Sequence, residues 1–121
     1  MSFNDTVLRF AASTRWDGPL DSATHVGTEG IPGDGPYAKI FLDIRNSVVA
    51  MARFQTYTCP ASRASCAALC WVIEGKNVEL CETVCASDVV LLLHGLPDGK
   101  GHLPEMALSA LQKALSGTIG S

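Results

Sequence analysis

Two residues of this chain could do chemistry: a cysteine placed just before a proline, and a histidine placed after a glycine-containing loop. Cys59 precedes Pro60, at the point where a strand-like segment gives way to a helix-like one. His102 ends the segment 96–102, LPDGKGH, in which a proline and two glycines exclude a helix. A thiolate and an imidazole are common metal ligands, and a thiolate is also a nucleophile. The function of the chain therefore depends on whether these two side chains meet.

Each candidate residue also has a plainer interpretation. Cys59 opens a predicted helix, where the dipole and the free backbone N–H groups stabilise a thiolate, but free cysteines are often only small buried hydrophobes. Its position at a junction favours a function. His102 could equally be an exposed residue before the last helix. Asp34, in the segment GIPGDGP, is typical of a turn, although its carboxylate could also bind zinc or iron.

The four remaining cysteines come in two pairs with helical spacing. Cys66 and Cys70 are four positions apart, as are Cys81 and Cys85, so each pair can share a helix face. A zinc site of four thiolates is conceivable. Structural zinc sites usually take their cysteines from loops, however, and these pairs lie in apolar helical segments, which favours a role in core packing.

Composition limits the class of protein. The 121 residues predict a single domain over 1–121, and 47% hydrophobic with 17% charged residues excludes a disordered tail. A net charge of −3 without a basic run argues against nucleic acid as a partner. The longest apolar stretch, 64–73, is too short to span a bilayer. Five cysteines without an export signal predict reduced thiols and a cytoplasmic location.

The periodicity of the chain predicts the elements that must position these residues. Alternating apolar residues indicate strands, apolar residues at helical spacing indicate helices, and glycine or proline marks the breaks between them. The predicted elements are a helix over 4–13 capped by Asn4 or Asp5, a long loop over 16–36, a strand–turn–strand hairpin over 38–58 with its turn at 45–47, a buried helix over 60–74, two short helices capped by Asn77 and Ser87, a final helix opening at Pro104, and a frayed tail over 116–121.

Strands followed by helices indicate an α+β fold. We expect a small antiparallel sheet, made of the hairpin and one further strand, packed on one face by several helices. An N-terminal helix and loop over 1–25 precede this sheet. In the second strand of the hairpin, Val49, Met51 and Arg53 are expected on one side, and Ala52, Phe54 and Thr56 on the other.

Several segments carry a resemblance to a known family. Residues 26–35 look like a first ligand loop, 52–59 (ARFQTYTC) like a strand leading to a second ligand, and 75–79 (GKNVE) like the turn after a helix. Residues 96–102 resemble a loop of the pattern LPPVK-x-HC. In this order the segments resemble the IscU/NifU N-terminal family of iron–sulfur cluster assembly scaffolds, from about residue 26 to residue 115.

The resemblance implies a metal site with an incomplete set of ligands. In the family, three cysteines and a histidine, with an aspartate nearby, hold zinc or a nascent [2Fe–2S] cluster. Here Cys59 and His102 match a cysteine and the histidine, while Asp34 stands in place of the first cysteine. Pro36 stands in place of the aspartate, and Leu103 in place of the last cysteine. The implied site is therefore Asp34, Cys59 and His102, binding zinc, iron or a labile iron–sulfur cluster.

The family also implies partners rather than catalysis. A cysteine desulfurase and an Hsp70-type chaperone are expected, the chaperone through the segment 96–100, which keeps Lys100 but replaces Pro-Val by Asp98-Gly99. No enzymatic turnover is implied. Two alternatives stay open: a SufE-like sulfur-transfer protein that carries a persulfide on Cys59, and a structural or regulatory relative that has lost the chemistry.

Overall fold

The computed structural model describes residues 3–57, 59–96, 100 and 102–117. These residues form a three-stranded antiparallel sheet and five helices, which confirms the α+β class. In chain order the elements are α1 (Asp5–Ala12), β1 (His25–Gly30), β2 (Tyr37–Arg45), β3 (Val48–Thr56), α2 (Pro60–Ile73), α3 (Val78–Glu82), α4 (Ala86–Leu92) and α5 (His102–Leu115). The predicted tail falls partly outside the described residues, beyond Gly117.

The hairpin of β2 and β3 lies where the alternation of residues predicts it. Arg45 pairs with Val48, so Asn46 and Ser47 alone make the connection, and both have positive φ. Such a two-residue turn matches the natural twist of two antiparallel strands. The inward residues of the two strands, packed under the helices, are fully or almost fully buried: Ala38, Ile40, Leu42, Val49, Ala52 and Phe54.

One side-chain assignment in β3 is wrong, because the ladder contains a bulge. The register shifts between Asp43 and Ile44, so that Met51 pairs with Asp43 while Val49 pairs with Ile44. The extra residue turns Val49 into the core, on the same side as Ala52, instead of leaving it beside Met51. Strict alternation could not reveal this insertion, since a bulge leaves each strand with strand-like residues.

The predicted loop over 16–36 is also wrong in part, because it contains β1. This strand pairs along β2 from His25 opposite Leu42 to Gly30 opposite Tyr37, and it is the further strand that the fold class required. Its Gly27 suggested a loop, yet it lies in the strand beneath α5. A Cβ there would overlap backbone atoms of Ala110 and Ala114, so the helix can approach the strand this closely only over glycine.

The helices cover the sheet in an order that places α2 at the centre. This helix packs on β3, α5 packs on β1 and β2, and α1 packs against α2. Ten of the residues of α2 are buried, as its nearly continuous apolar sequence predicts. Its many alanines and serines let neighbouring elements approach closely. No helix in the described part of the chain is both long and apolar enough to cross a membrane.

Two predicted helix starts need correction. The N-cap of α4 is Cys85 and not Ser87, because the Asp88 carboxylate accepts a hydrogen bond from the Cys85 backbone N–H at 3.0 Å. This bond lowers the pKa of Asp88. The last helix begins at His102, two residues before the predicted start at Pro104, since proline is tolerated within a first turn that needs no internal N–H partners. The Asn4 and Asn77 caps are confirmed.

The outer edge of β3 is covered by other parts of the chain. At one end the Phe54 N–H donates to the Trp16 carbonyl at 2.8 Å, and the Gly18 N–H donates to the Phe54 carbonyl at 2.9 Å. Further along, the Val49 N–H donates to the Lys76 carbonyl at 2.9 Å, and the Gly75 N–H donates to the Val49 carbonyl at 2.7 Å. The backbone groups of β3 are therefore satisfied on both sides at these two positions.

Arg63 in the first turn of α2 joins three parts of the fold. Its Nε donates to the Ala11 carbonyl at the end of α1 at 2.9 Å, and its Nη2 lies 3.1 Å from the Asp17 carboxylate. Its guanidinium also lies over the Phe54 ring, 5.7 Å from the ring centre. Arg63 thus holds the helix start that follows Cys59 against both α1 and β3.

Replacing Arg63 with alanine is expected to lower the free energy of unfolding by about 2 kcal/mol, because charge-assisted hydrogen bonds are lost from a half-buried group. Urea denaturation measures this change. Arg9→Ala is the matched control, since Arg9 is exposed and forms no ion pair with a described residue. Equal stabilities of the two variants would show that these contacts contribute nothing.

Candidate functional site

Cys59 lies where β3 ends and α2 begins, as its sequence context predicts. It is the N-cap of α2, with Pro60 at the first helical position and an extended backbone at φ −121° and ψ 131°. Its N–H donates to the Tyr57 carbonyl at 2.8 Å, and its own carbonyl accepts from the Arg63 N–H at 2.9 Å. The backbone is thus fixed on both sides, while the thiol, in a half-buried residue, makes no cap hydrogen bond.

A cation from the crossover between α4 and α5 reaches this cysteine. The Lys100 ammonium nitrogen lies 4.0 Å from the Cys59 sulfur, although the two residues are 41 positions apart. The resemblance to the family places Lys100 only in a chaperone-binding segment. Its position two residues before a candidate ligand was the signal for a second role.

His102 is the first residue of α5 and is exposed. It follows Lys100 by two positions, so the chain that brings the ammonium to Cys59 also brings the histidine to the same end of the sheet. Residues 97–99 and 101 of the predicted loop lie outside the described residues. That His102 and Cys59 bind the same metal ion stays a prediction.

Asp34 lies in the connection between β1 and β2, and it is exposed. Its N–H donates to the Ile31 carbonyl at 3.0 Å, and Gly33 and Gly35 beside it both have positive φ. This geometry is that of a turn, in agreement with the plainer interpretation. The connection emerges at the same end of the sheet as Cys59.

Tyr37 links the Asp34 turn to the end of β3. It pairs with Gly30 of β1 on one side, and on the other its carbonyl accepts hydrogen bonds from the Tyr57 N–H at 3.3 Å and the Thr56 hydroxyl at 2.5 Å. The end of the sheet therefore carries the Asp34 turn and, three residues beyond Thr56, Cys59. Bond by bond, this is the framework that holds the two candidate ligands on one side of the molecule.

The described residues nevertheless contain no preformed group of three or more His, Cys, Asp or Glu side chains that could hold a metal ion. The set of Asp34, Cys59 and His102 consequently stays a prediction. By donor chemistry, one carboxylate, one thiolate and one imidazole suit a zinc or iron ion with water as a further ligand. A [2Fe–2S] cluster usually takes four protein ligands, mostly thiolates, and this chain offers fewer.

The other cysteines do not supply the missing thiolates. Cys66, Cys70 and Cys81 are buried, and burial raises the pKa of Cys66 to about 12 and the pKa of Cys70 well above its ordinary value. Burial also raises the pKa of Cys81. For these three the prediction of a packing role is confirmed. It is wrong for Cys85, which is exposed, because α3 ends at Glu82 and Cys85 lies in the connection before α4.

Leu103, which the resemblance places at the position of the last family cysteine, is only 4% exposed and belongs to the buried side of α5. Its side chain has no donor atom and faces the protein interior. Leu103 therefore packs in the core, and a metal-binding residue in its place would disturb the start of α5.

Thiol accessibility gives a direct check of this arrangement. Under native conditions a small alkylating reagent is expected to modify Cys59 and Cys85 and to leave the three buried cysteines intact, because modification requires an accessible thiolate. Mass spectrometry of peptides measures the extent at each site. All five should react in concentrated urea, which serves as the control. Native modification of Cys66 or Cys70 at the rate of Cys59 would contradict the described packing.

Comparison with known proteins places this chain in a family. The family model described as the NifU-like N-terminal domain matches residues 2–118. The chain therefore belongs to the NifU-like N-terminal domain family, as its segments suggested.

Among curated relatives, a protein named iron–sulfur cluster assembly scaffold protein IscU 1 from Archaeoglobus fulgidus is 28% identical over 113 residues, covering 93% of this chain and 74% of the relative. The iron–sulfur cluster assembly scaffold protein IscU from Aquifex aeolicus is 30% identical over 115 residues, covering 93% of this chain and 73% of the relative. Both alignments cover nearly the whole of the fold described above.

Solved structures share the same fold. FiSufU from Fervidobacterium islandicum aligns with a TM-score of 0.74 at 13% identity, covering 93% of this chain and 96% of that one. The N-terminal part of a nitrogen-fixing NifU-like protein from Brucella abortus aligns with a TM-score of 0.66 at 17% identity, covering 93% and 91%. These likenesses support the three-stranded sheet with its helices.

Proposed function

We propose that this protein is a scaffold-like component of iron–sulfur cluster assembly that binds a metal ion at a reduced site. The ligands are Cys59 and His102, with Asp34 as the third. The metal is zinc or iron, and a labile iron–sulfur cluster would be cargo rather than a permanent group. The protein performs no catalytic turnover of its own.

The contact between Lys100 and Cys59 is the observation that carries this proposal. It joins the exit of β3 to the crossover before α5 at 4.0 Å, and these two segments carry the predicted ligands Cys59 and His102. The family assignment and the names of the relatives support the same role. Lys100 places a positive charge beside the sulfur, and a metal ion binds cysteine as the thiolate.

The surroundings of the site support exchange with partners. Cys59 is half-buried and His102 and Asp34 are exposed, so a metal ion bound there would be accessible to a second protein. We infer that a cysteine desulfurase and an Hsp70-type chaperone approach this end of the sheet, the chaperone through residues 96–100. The five free cysteines agree with a reducing compartment, which we take to be the cytoplasm.

Anaerobic titration with Co²⁺ tests metal binding, because a thiolate bound to cobalt gives a charge-transfer absorption that water and carboxylate ligands do not. Loss of the thiolate in Cys59→Ser is expected to weaken binding by about 100-fold or more and to remove this absorption, an effect at least as large as that of losing an outer-shell partner. His102→Ala should weaken binding less while keeping the absorption. Cys85→Ser and His25→Ala are the matched controls.

The outcomes separate the hypotheses. Equal Co²⁺ affinities of Cys59→Ser and Cys85→Ser would contradict the proposed metal site. Reconstitution with iron and sulfide, followed by visible absorption, then shows whether a cluster forms as well as a mononuclear site. Failure to bind any metal, with unchanged folding of all variants, would leave the chain as a relative that keeps the fold without the chemistry.

A second function, sulfur transfer, is favoured by one observation: Cys59 is the half-buried cysteine near the crossover, and a cation lies beside it. Its thiolate would attack the outer sulfur of a donor persulfide, forming a new S–S bond and releasing the donor thiolate. Incubation with a desulfurase and cysteine should then add one sulfur atom to Cys59. Equal addition to Cys85 would count against this function.

A further inference from the structure

The side chain of Asn4 joins the start of one helix to the end of another. Its Oδ1 accepts a hydrogen bond from the Val7 N–H at 2.8 Å and so caps α1. Its Nδ2 donates to the carbonyls of Leu93 at 3.0 Å, His94 at 3.2 Å and Gly95 at 3.2 Å. Two N–H groups are thus shared among three carbonyls that follow the last turn of α4.

These three carbonyls lie where the chain leaves α4 for the crossover. His94 has φ 62° and Gly95 has φ 93°, so the backbone turns through the left-handed region, which is uncommon for residues other than glycine. Leu93 is fully buried and anchors the helix itself. The direction in which the chain departs is set by the two residues after it, and those are the residues that Asn4 holds.

A second contact strengthens the same junction. The Thr6 hydroxyl lies 3.0 Å from Nδ1 of His94, so the first turn of α1 binds both the backbone and the side chain of the exit from α4. The positive end of the α1 dipole also meets the negative end of the α4 dipole here. The N-terminal helix is thereby attached to the point from which the crossover starts.

The crossover is tethered to this junction over a short stretch of sequence. Five residue steps separate Gly95 from Lys100, and an extended chain covers at most about 3.5 Å per residue, so the exit from α4 limits the positions that Lys100 can reach. Lys100 lies beside Cys59, and His102 follows it. We propose that Asn4 is a positioning residue, which fixes the exit from α4 and thereby the approach of Lys100 and His102 to Cys59.

This inference rests on the proposed function only in that the positioned residues serve a metal site, and the positioning itself can be tested without a metal. Asn4→Asp keeps the oxygen that caps α1 but replaces the donor group by an oxygen that repels the three carbonyls. Asn4→Ser keeps a cap that is too short to reach α4. Asn77→Asp is the matched control: Asn77 caps α3 through its Oδ1, and its Nδ2 bonds to none of the described residues.

Two measurements on the metal-free protein follow. A short amine-to-thiol cross-linker should join Lys100 to Cys59 in the wild type, and its yield should fall about fivefold in both Asn4 variants, the loss expected for one or two net hydrogen bonds. Hydrogen exchange of the His94 and Gly95 amides should become faster by a similar factor. The control should match the wild type, and far-UV circular dichroism should show that both Asn4 variants remain folded.

A third measurement ties the effect to the site. The Co²⁺ affinity of both Asn4 variants should fall several-fold while the charge-transfer absorption persists at saturation. Unchanged cross-linking in either Asn4 variant would overturn the inference. If hydrogen exchange of His94 and Gly95 were nevertheless faster, Asn4 would be a structural cap with no effect on Lys100. A wild type that binds no cobalt would end the proposed function, while the cross-linking result would still decide the role of Asn4.

Discussion

Gly27→Ala is expected to lower the free energy of unfolding by about 3 kcal/mol or more, the upper range for overpacking a tightly packed site. The added Cβ would overlap the Ala110 carbonyl and the Ala114 backbone, and it would lie 2.9 Å from the Ala114 Cα. Backbone atoms cannot turn away as a flexible side chain can. The helix α5 must therefore shift away from β1, and burial on both elements is lost.

Urea denaturation with tryptophan fluorescence measures this loss. Gly117→Ala is the control, since a Cβ there would approach only the Lys113 carbonyl, at 3.9 Å. The same methyl group is added in both variants, and the difference between them isolates the contact between β1 and α5. A Gly27 variant as stable as the Gly117 variant would mean that α5 lies further from the sheet than described.

The second large effect is expected at alkaline pH, where the buried thiols of α2 should make the fold unstable. Burial raises the pKa of Cys66 to about 12, and the pKa of Cys70 is raised well above its ordinary value by burial and by the neighbouring Cys66. In the unfolded chain both thiols ionise near the ordinary value of 9.0. The folded state therefore keeps protons that the unfolded state has already released.

The sign follows from proton binding. Because the folded protein binds more protons, the free energy of unfolding falls as pH rises. The contribution is fully present below a pH of about 9 and is lost as the pH rises above it, up to about pH 12 for Cys66, at more than about 1 kcal/mol per pH unit for each thiol. This loss is large beside the stability of about 5 to 15 kcal/mol of an ordinary domain.

Urea denaturation at about pH 8 and about pH 10.5 checks this expectation. The double variant Cys66→Ala, Cys70→Ala should lose much less stability between the two pH values than the wild type. Any cavity it contains costs the same at both. Cys85→Ala, at an exposed position, should behave as the wild type does. An unchanged pH dependence in the double variant would refute the role of the two thiols.

Much of the fold could be predicted from the sequence, because several elements carry local signals that agree with their environment. The hairpin alternates cleanly and has a two-residue turn, and α2 has no charge between Arg63 and Glu74, so its burial followed directly. The position of the strand β1 could not be predicted from its local sequence. Its Gly27 is a requirement of contact with α5, and no local pattern distinguishes such a glycine from one in a loop.

The site was predictable in part. The junction position of Cys59 came from a proline and a change of periodicity. Lys100 of the crossover lies 4.0 Å from the Cys59 sulfur, whereas the meeting of His102 with Cys59 stays a prediction. The fate of Cys85 was not predictable, because four-residue spacing looks the same inside one helix and across a break between two. The joint role of Asn4 in two helices depends on contacts between positions about 90 residues apart, which no local pattern contains.

The bonded outer edge of β3 has a consequence for how copies of this protein could misassociate. A foreign strand cannot extend the sheet across Phe54 or Val49, where the chain itself already supplies the partners. On β1, by contrast, the described residues donate and accept backbone hydrogen bonds only toward β2. Intermolecular strand addition, and any fibril that grew from it, would therefore have to begin at His25–Gly30.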